Sequence, residues 1–272
     1  MTTDAAPPAR SAATRLHLPV TLALILCAAV WLASLLRPSL LPGANWPQTF
    51  FPLLAFAATL IALSRALPAQ NVFAATAVIV VIASSAEIIS AITGVPFGAR
   101  TYTDDFGPRI FGLLPWPMPF IWVVAVLNSR GVARLILRPW RKTTKYGLWV
   151  IAFTCLLTVT FDFNLEPFAG DANSWWIWRM PKSVPAWHHA PCVNFLAWAV
   201  VTLLILAFAT PWLINKQRTR SSPPDYHPLI LWLIINLLPA VGDATQQLWL
   251  PAALATALAV IVSTFALRGA MW

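Results

Sequence analysis

Eight long apolar runs, separated by short segments that hold most of the charge, restrict this chain to one kind of fold. They cover roughly residues 18–36, 48–66, 71–93, 110–129, 146–163, 190–214, 228–249 and 251–268. Each is near the ~20 residues an α-helix needs to cross the hydrocarbon of a bilayer. The chain is 59% hydrophobic and 10% charged, whereas a soluble domain is about 25% charged. The sequence therefore specifies an all-α fold, a polytopic integral membrane bundle of about eight transmembrane helices. In "LLPAVGDATQQLWLP", Pro239, Gly242, Asp243 and Pro251 interrupt the last two runs, and a broken helix with seven spans is the alternative count. The polar start "MTTDAAPPARSAATRLH" reads as a disordered cytoplasmic tail over residues 1–17. The run that follows has 19 residues, longer than the roughly 7–15 of a signal peptide's apolar core, so residues 18–268 form a single transmembrane domain.

A formal charge of +9 does not indicate nucleic acid here, because the basic residues lie in short loops where membrane topology places them. With eight spans and the N-terminus inside, 13 lie in inner segments: Arg10, Arg15, Arg65, Arg130, Arg134, Arg138, Arg141, Lys142, Lys145, Lys216, Arg218, Arg220 and Arg268. Five, Arg37, Arg100, Arg109, Arg179 and Lys182, are outer. That asymmetry predicts cytoplasmic termini in a bacterial inner (plasma) membrane. Cys27, Cys155 and Cys192 are too scattered for a zinc site or a disulfide framework, and read as small core residues.

The acids show the opposite bias. Glu87, Asp104, Asp105, Asp162, Glu166, Asp171 and Asp243 gather toward the outer ends of the spans, leaving only Asp4 and Asp225 on the other side. An ionisable group within a span is a functional candidate because burying it unpaired is costly. Burial of Glu87 favours the protonated acid that proton donation requires; a carboxyl that only ties helices together is the alternative.

In "TGVPFGARTYTDDFGPRIFG", Gly94, Pro96, Gly98, Gly107 and Pro108 break the helical period and allow a tight loop dipping back toward the membrane. Tyr102, Asp104 and Asp105 would then face a wet pocket; otherwise they are solvated. "FDFNLEPFAG" sets Asp162 and Glu166 one helical turn apart on one face, and Pro167 predicts a helix end near Glu166. Two carboxyls in one low-dielectric place divide into an acid and a base, although capping, or pairing with Arg100 or Arg179, would use them equally well. Trp175, Trp176, Trp178, Trp187 and Trp198 crowd the start of the sixth span. They are suited to an interfacial belt, to covering an apolar ligand, or to stabilising a transient carbocation. His188 and His189 are adjacent and lack the spacing of a metal pair; they read as interfacial hydrogen-bonding residues.

The stretches "EIISAITGVPFGARTYTDDFGPRIFGLLPWPMPFIWV", "FDFNLEPF" with "WWIW", and "PCVNFLAW", over roughly residues 87–200, resemble the integral-membrane carotenoid biosynthesis proteins. That family includes the CruF-type carotenoid 1,2-hydratases and the bisanhydrobacterioruberin hydratases. The matching positions are Glu87, Thr93, Gly94, Pro96, Phe97, Gly98, Tyr102, Thr103, Asp162, Pro167, Trp176, Trp178, Pro191, Asn194 and Trp198. Ser90 stands where the pattern has Gly, Arg100 and Thr101 replace an aromatic-rich piece, and His189-Ala190 replaces a small-residue turn.

The resemblance implies addition of water across the terminal double bond of an acyclic carotenoid end group, giving a tertiary alcohol without a cofactor or metal. Glu87 or Asp162 would be the proton donor, with Asp104, Glu166 and Asn194 positioning water. Tyr102, Phe97, Trp176, Trp178 and Trp198 would contact the substrate. The partners implied are a lipophilic carotenoid, membrane lipid and other carotenoid enzymes, with no nucleic acid. A carrier or channel whose acids bind a proton or cation is a different class, and it would spread its acids along a path reaching both faces. A non-catalytic scaffold for pigment enzymes is a third.

Overall fold

A computed structural model describes residues 12–40, 46–179, 181, 183–214 and 224–272. Eight helices in it are long and apolar enough to cross a membrane: α1 (Ala12–Leu36), α2 (Trp46–Ser64), α3 (Ala69–Thr93), α4 (Met118–Ile136), α5 (Tyr146–Glu166), α6 (Cys192–Ala209), α7 (His227–Thr245) and α8 (Trp249–Ala270). The protein is an all-α integral membrane bundle, and the seven-span alternative falls away because α7 and α8 are separate helices. Pro239 is accommodated inside α7. Helix α1 begins inside the predicted tail; residues 1–11 of that tail, with Lys182, Lys216, Arg218 and Arg220 of the charge argument, lie outside the described residues.

Helix α4 occupies the centre, packed on α2, α3, α5, α7 and α8, and 15 of its 19 residues are buried. It differs from the expected fourth span of 110–129. Residues 109–115 form a small hairpin of β2 (Arg109–Ile110) and β3 (Leu114–Pro115), and the helix starts just after Pro117, where a missing N–H costs nothing. It then continues through the polar run Asn128-Ser129-Arg130, which resembles a loop in sequence. Burial is tolerated there because partners are supplied: Asn128 Nδ2 donates to Thr59 Oγ1 (2.9 Å) and Arg130 donates to the Leu213 carbonyl (3.0 Å). At the same end α8 approaches so closely that a Cβ on Gly269 would lie 2.1 Å from the Leu135 carbonyl oxygen.

The opposite end of the bundle is covered by the α3–α4 and α5–α6 connections, which are joined by a two-stranded antiparallel ribbon. β1 (Arg100–Tyr102) pairs with β4 (Trp176–Trp178), Arg100 opposite Trp178 and Tyr102 opposite Trp176. A second hairpin, β5 (Ala186–Trp187) with β6 (Ala190–Pro191), turns through His188 and His189, both at positive φ. Asp171 holds this turn: the Nδ1 atoms of His188 and His189 lie 2.6 and 2.8 Å from its two carboxylate oxygens. Helix α5 does not stop at Pro167. A π-helical turn carries it on to Ala172, closed by the Asn173 N–H on the Phe168 carbonyl, so the ring and its missing donor are absorbed by a wider turn.

Candidate active site

Glu87 reaches the bundle interior because it lies on the buried face of α3 with Ala83 and Ser90, one turn apart on each side. Gly94 ends the helix at φ 76°, a left-handed cap that costs glycine no Cβ clash. The chain then folds back, and the Phe97 N–H donates to Ser90 Oγ (3.3 Å). That hydroxyl gives a role to the position where the sequence departs from the expected glycine.

The turn delivers β1 directly beneath Glu87. Successive strand residues point to opposite sides, so Arg100 and Tyr102 face inward and are buried. Arg100 Nη2 donates to Glu87 Oε2 in an ion pair, the Tyr102 hydroxyl donates to the same oxygen (2.8 Å), and Trp122 Nε1 of α4 donates to Oε1 (3.0 Å). A guanidinium, a phenol and an indole thus all direct donors at this one carboxyl. Burial works against the Arg100 charge, but Glu87, the Tyr102 phenol and Glu166 outweigh it and hold the guanidinium protonated, above its ordinary range. Four rings also surround that guanidinium, those of Phe97, Tyr102, Trp176 and Trp178, with centroids 5.0–5.4 Å from its central carbon.

The partner strand carries the network to α5. Trp176 and Trp178 alternate inward while Ile177 points out, and both indole Nε1 atoms donate to Glu166 Oε2 at 3.0 Å. Asn194, in the first turn of α6, spends both amide hydrogens on the acids, donating to Asp162 Oδ2 (2.7 Å) and Glu166 Oε1 (3.0 Å). Its Oδ1 is buried with no partner among the described residues. Asp162, Glu166 and Asn194 are all at most 1% exposed. One turn further along α6, Trp198 stacks on Trp122, ring centroids 3.6 Å apart and planes 10° from parallel. The two ends of the network are thereby joined through α4 and α6.

Of the residues singled out in the sequence, Glu87, Tyr102, Phe97, Asp162, Glu166, Asn194, Trp176, Trp178 and Trp198 are brought together. Asp104 is not: it sits on the surface and pairs with Arg109 (2.8 Å), because the loop forms a helical turn over Asp104–Phe106 that buries only Phe106. Trp122 was missed, since its indole is one of many in the chain and only the fold brings it to Glu87. The sequence reading offered Arg100 as a partner for Asp162 or Glu166, not for Glu87. Asp243, buried in α7, has neither carboxylate oxygen hydrogen-bonded among the described residues.

Glu87, Asp162, Glu166 and Asp243 are each at most 1% exposed. A narrow cavity of about 40 Å³ lies against this region, walled by Phe161 and Leu165 of α5, Ile121 and Val124 of α4, Trp175, and residues of α1, α2 and α7. A much larger cleft, about 830 Å³, lies along α5 and α8; none of these acids lines either space, and the smaller one is walled by the α5 residues that precede Asp162 and Glu166 in the chain. Among the described residues, no group of three or more His, Cys, Asp or Glu is arranged to hold a metal ion.

The carotenoid biosynthesis protein family matches residues 48–262 of this chain. Bisanhydrobacterioruberin hydratase of Haloarcula japonica is 29% identical over 158 residues, covering 56% of this chain and 51% of that relative. The matched region thus spans about half the relative's length. No solved structure matches.

Proposed function

The chain belongs to the carotenoid biosynthesis protein family, and from that premise we propose that it hydrates the terminal C=C bond of an acyclic carotenoid end group to a tertiary alcohol. The observation that carries this reading is the buried Asp162–Asn194–Glu166 arrangement. The hydratase name of the Haloarcula japonica relative supports it.

Two carboxyls bridged by one amide in a dry place hold a single proton between them. Glu166 accepts three hydrogen bonds, from Trp176, Trp178 and Asn194, and these stabilise its charge. Among the described residues Asp162 accepts from Asn194 alone, so the proton resides on Asp162. In the reaction Asp162 protonates the less substituted alkene carbon, and the positive charge develops on the tertiary carbon. A water oriented by Asn194 Oδ1 attacks that carbon and releases a proton to the carboxylate pair, which ends the cycle as it began. The nearby negative charge and the faces of Phe161 and Trp175 stabilise the cation. Trp176 and Trp178 face Arg100 instead, and their part is to fix Glu166. Glu87 is a positioning residue, neutralising Arg100 so that β1 can lie in the interior.

All four acids buried in the spans, Glu87, Asp162, Glu166 and Asp243, lie toward one end of the bundle, which speaks against a carrier whose acids mark a path through it. The test is expression in cells that accumulate an acyclic carotene, followed by mass analysis for a product heavier by one water. Absence of that product, with the intact protein present in the membrane, would overturn the proposal.

A further inference from the structure

Helices α5 and α8 leave between them the cleft of about 830 Å³, within the roughly 300–1,000 Å³ range of ligand sites. Phe153, Leu156 and Leu157 of α5 form one wall, and Leu258, Ile261 and Phe265 of α8 the other. Leu156, Ile261 and Phe265 are 59%, 51% and 54% exposed, so the cleft opens sideways onto the hydrocarbon of the bilayer. From Lys145 to Thr160 it follows α5 for about 22 Å, at about 1.5 Å per residue. This face of α5 is opposite that of Asp162, which lies two residues beyond Thr160.

The two ends of the cleft differ chemically. Among the described residues its lining is apolar apart from Thr143, Thr144, Thr160 and Lys145, and Lys145 is the one charged member. Thr160 Oγ1 already donates to the Leu156 carbonyl (2.9 Å), which leaves the upper end without a free donor. At the lower end Lys145 is joined by the exposed Arg141 and Lys142 in the same turn. None of these three cations is ion-paired among the described residues. An apolar channel one acyl chain long, facing lipid and ending at unpaired cations at the level of the headgroups, is complementary to an amphiphile with a single anionic end.

The geometry points to a specific binding site for one anionic phospholipid, an acyl chain lying in the α5–α8 cleft and its phosphate on Lys145, flanked by Arg141 and Lys142. This site is independent of the acid network and of the reaction proposed for it. The test uses full-length protein in non-ionic detergent, titrated with phosphatidylglycerol, with phosphatidylcholine of the same chains, or with inorganic phosphate, and bound lipid is counted by native mass spectrometry. One phosphatidylglycerol should be retained, with about fivefold preference over phosphatidylcholine for each cation that engages the headgroup, and free phosphate should not bind detectably. Replacing Arg141, Lys142 and Lys145 together by Gln should bring the two lipids level. Leu156→Trp, which fills the cleft, should lower retention of both, whereas Ile230→Trp on the exposed face of α7 should change neither. Equal retention of the two lipids by the native chain would overturn the site. So would indifference to Leu156→Trp, or displacement of the lipid by an acyclic polyene with no headgroup.

Discussion

Arg100 and Glu87 form a buried ion pair across the turn that ends α3, and the guanidinium in that pair is also ringed by four aromatic faces. The pair explains how a strand bearing a full positive charge can lie beneath a membrane helix. Its charge is neutralised by Glu87, and its remaining surface is covered by π-faces that attract cations.

A buried pair is most sensitive to losing one member. Glu87→Gln and Arg100→Gln should each destabilise the protein by about 3–5 kcal/mol, because each leaves an uncompensated charge in the interior. The double variant should recover part of that loss, so a double-mutant cycle on thermal unfolding in detergent should show a clear coupling. Additive losses would mean that the two side chains act independently and that the network is not held by this pair.

The catalytic prediction concerns Asp162. Asp162→Asn keeps an oxygen to accept the Asn194 hydrogen bond but removes the transferable proton. Hydration by membranes containing this variant should fall by about 10²–10⁴ while the protein accumulates normally. Asp104→Asn, at the surface beside Arg109, should leave the rate unchanged. Full activity in Asp162→Asn would remove this residue from the mechanism.

The contrast between those two aspartates shows what the sequence makes legible. Asp162 and Glu166 can be assigned to one face from their spacing alone, since the period of a helix is fixed and α5 is unambiguously apolar. Asp104 cannot, because in an irregular loop the direction of a side chain depends on which residues the turn buries, and here it buries Phe106. The eight spans follow from hydropathy, but the end of α4 does not: a buried Asn128 and Arg130 read as loop until Thr59 and the Leu213 carbonyl are brought to them. The β1–β4 ribbon joins segments more than 70 residues apart and has no local signature. With it were hidden the roles of Arg100 against Glu87, and of Trp176 and Trp178 against Glu166.

Topology is testable without any activity. The inner-to-outer imbalance of Arg and Lys predicts that a reporter fused after Lys145 is cytoplasmic and one fused after Asp171 is external. The described helices place these positions at opposite ends of α5 and its π-helical extension. Alkaline phosphatase activity at the second junction and not at the first is the expected result. The reverse pattern would put the acid network at the cytoplasmic face, with the termini outside.

The last prediction is a pH dependence traced to Tyr102. Burial, reinforced by the neighbouring Glu87 and Glu166 charges and only partly opposed by Arg100, raises its hydroxyl well above the ordinary tyrosine value, which is about 10. Between those two values the unfolded chain loses a proton that the folded chain keeps, so stability must fall as pH rises through that window. Below about pH 10 both states are protonated and Tyr102 contributes no slope. Tyr102→Phe removes the titrating group together with its hydrogen bond to Glu87. At pH 8 the variant should therefore be less stable by about 1.5–3 kcal/mol, the range for a hydrogen bond to a charged group. The difference from the native chain should narrow as pH is raised above 10. Thermal unfolding in detergent across pH 8–11 measures both. A gap that stays constant over the whole range would show that the Tyr102 hydroxyl ionises no later in the folded protein than in the unfolded one.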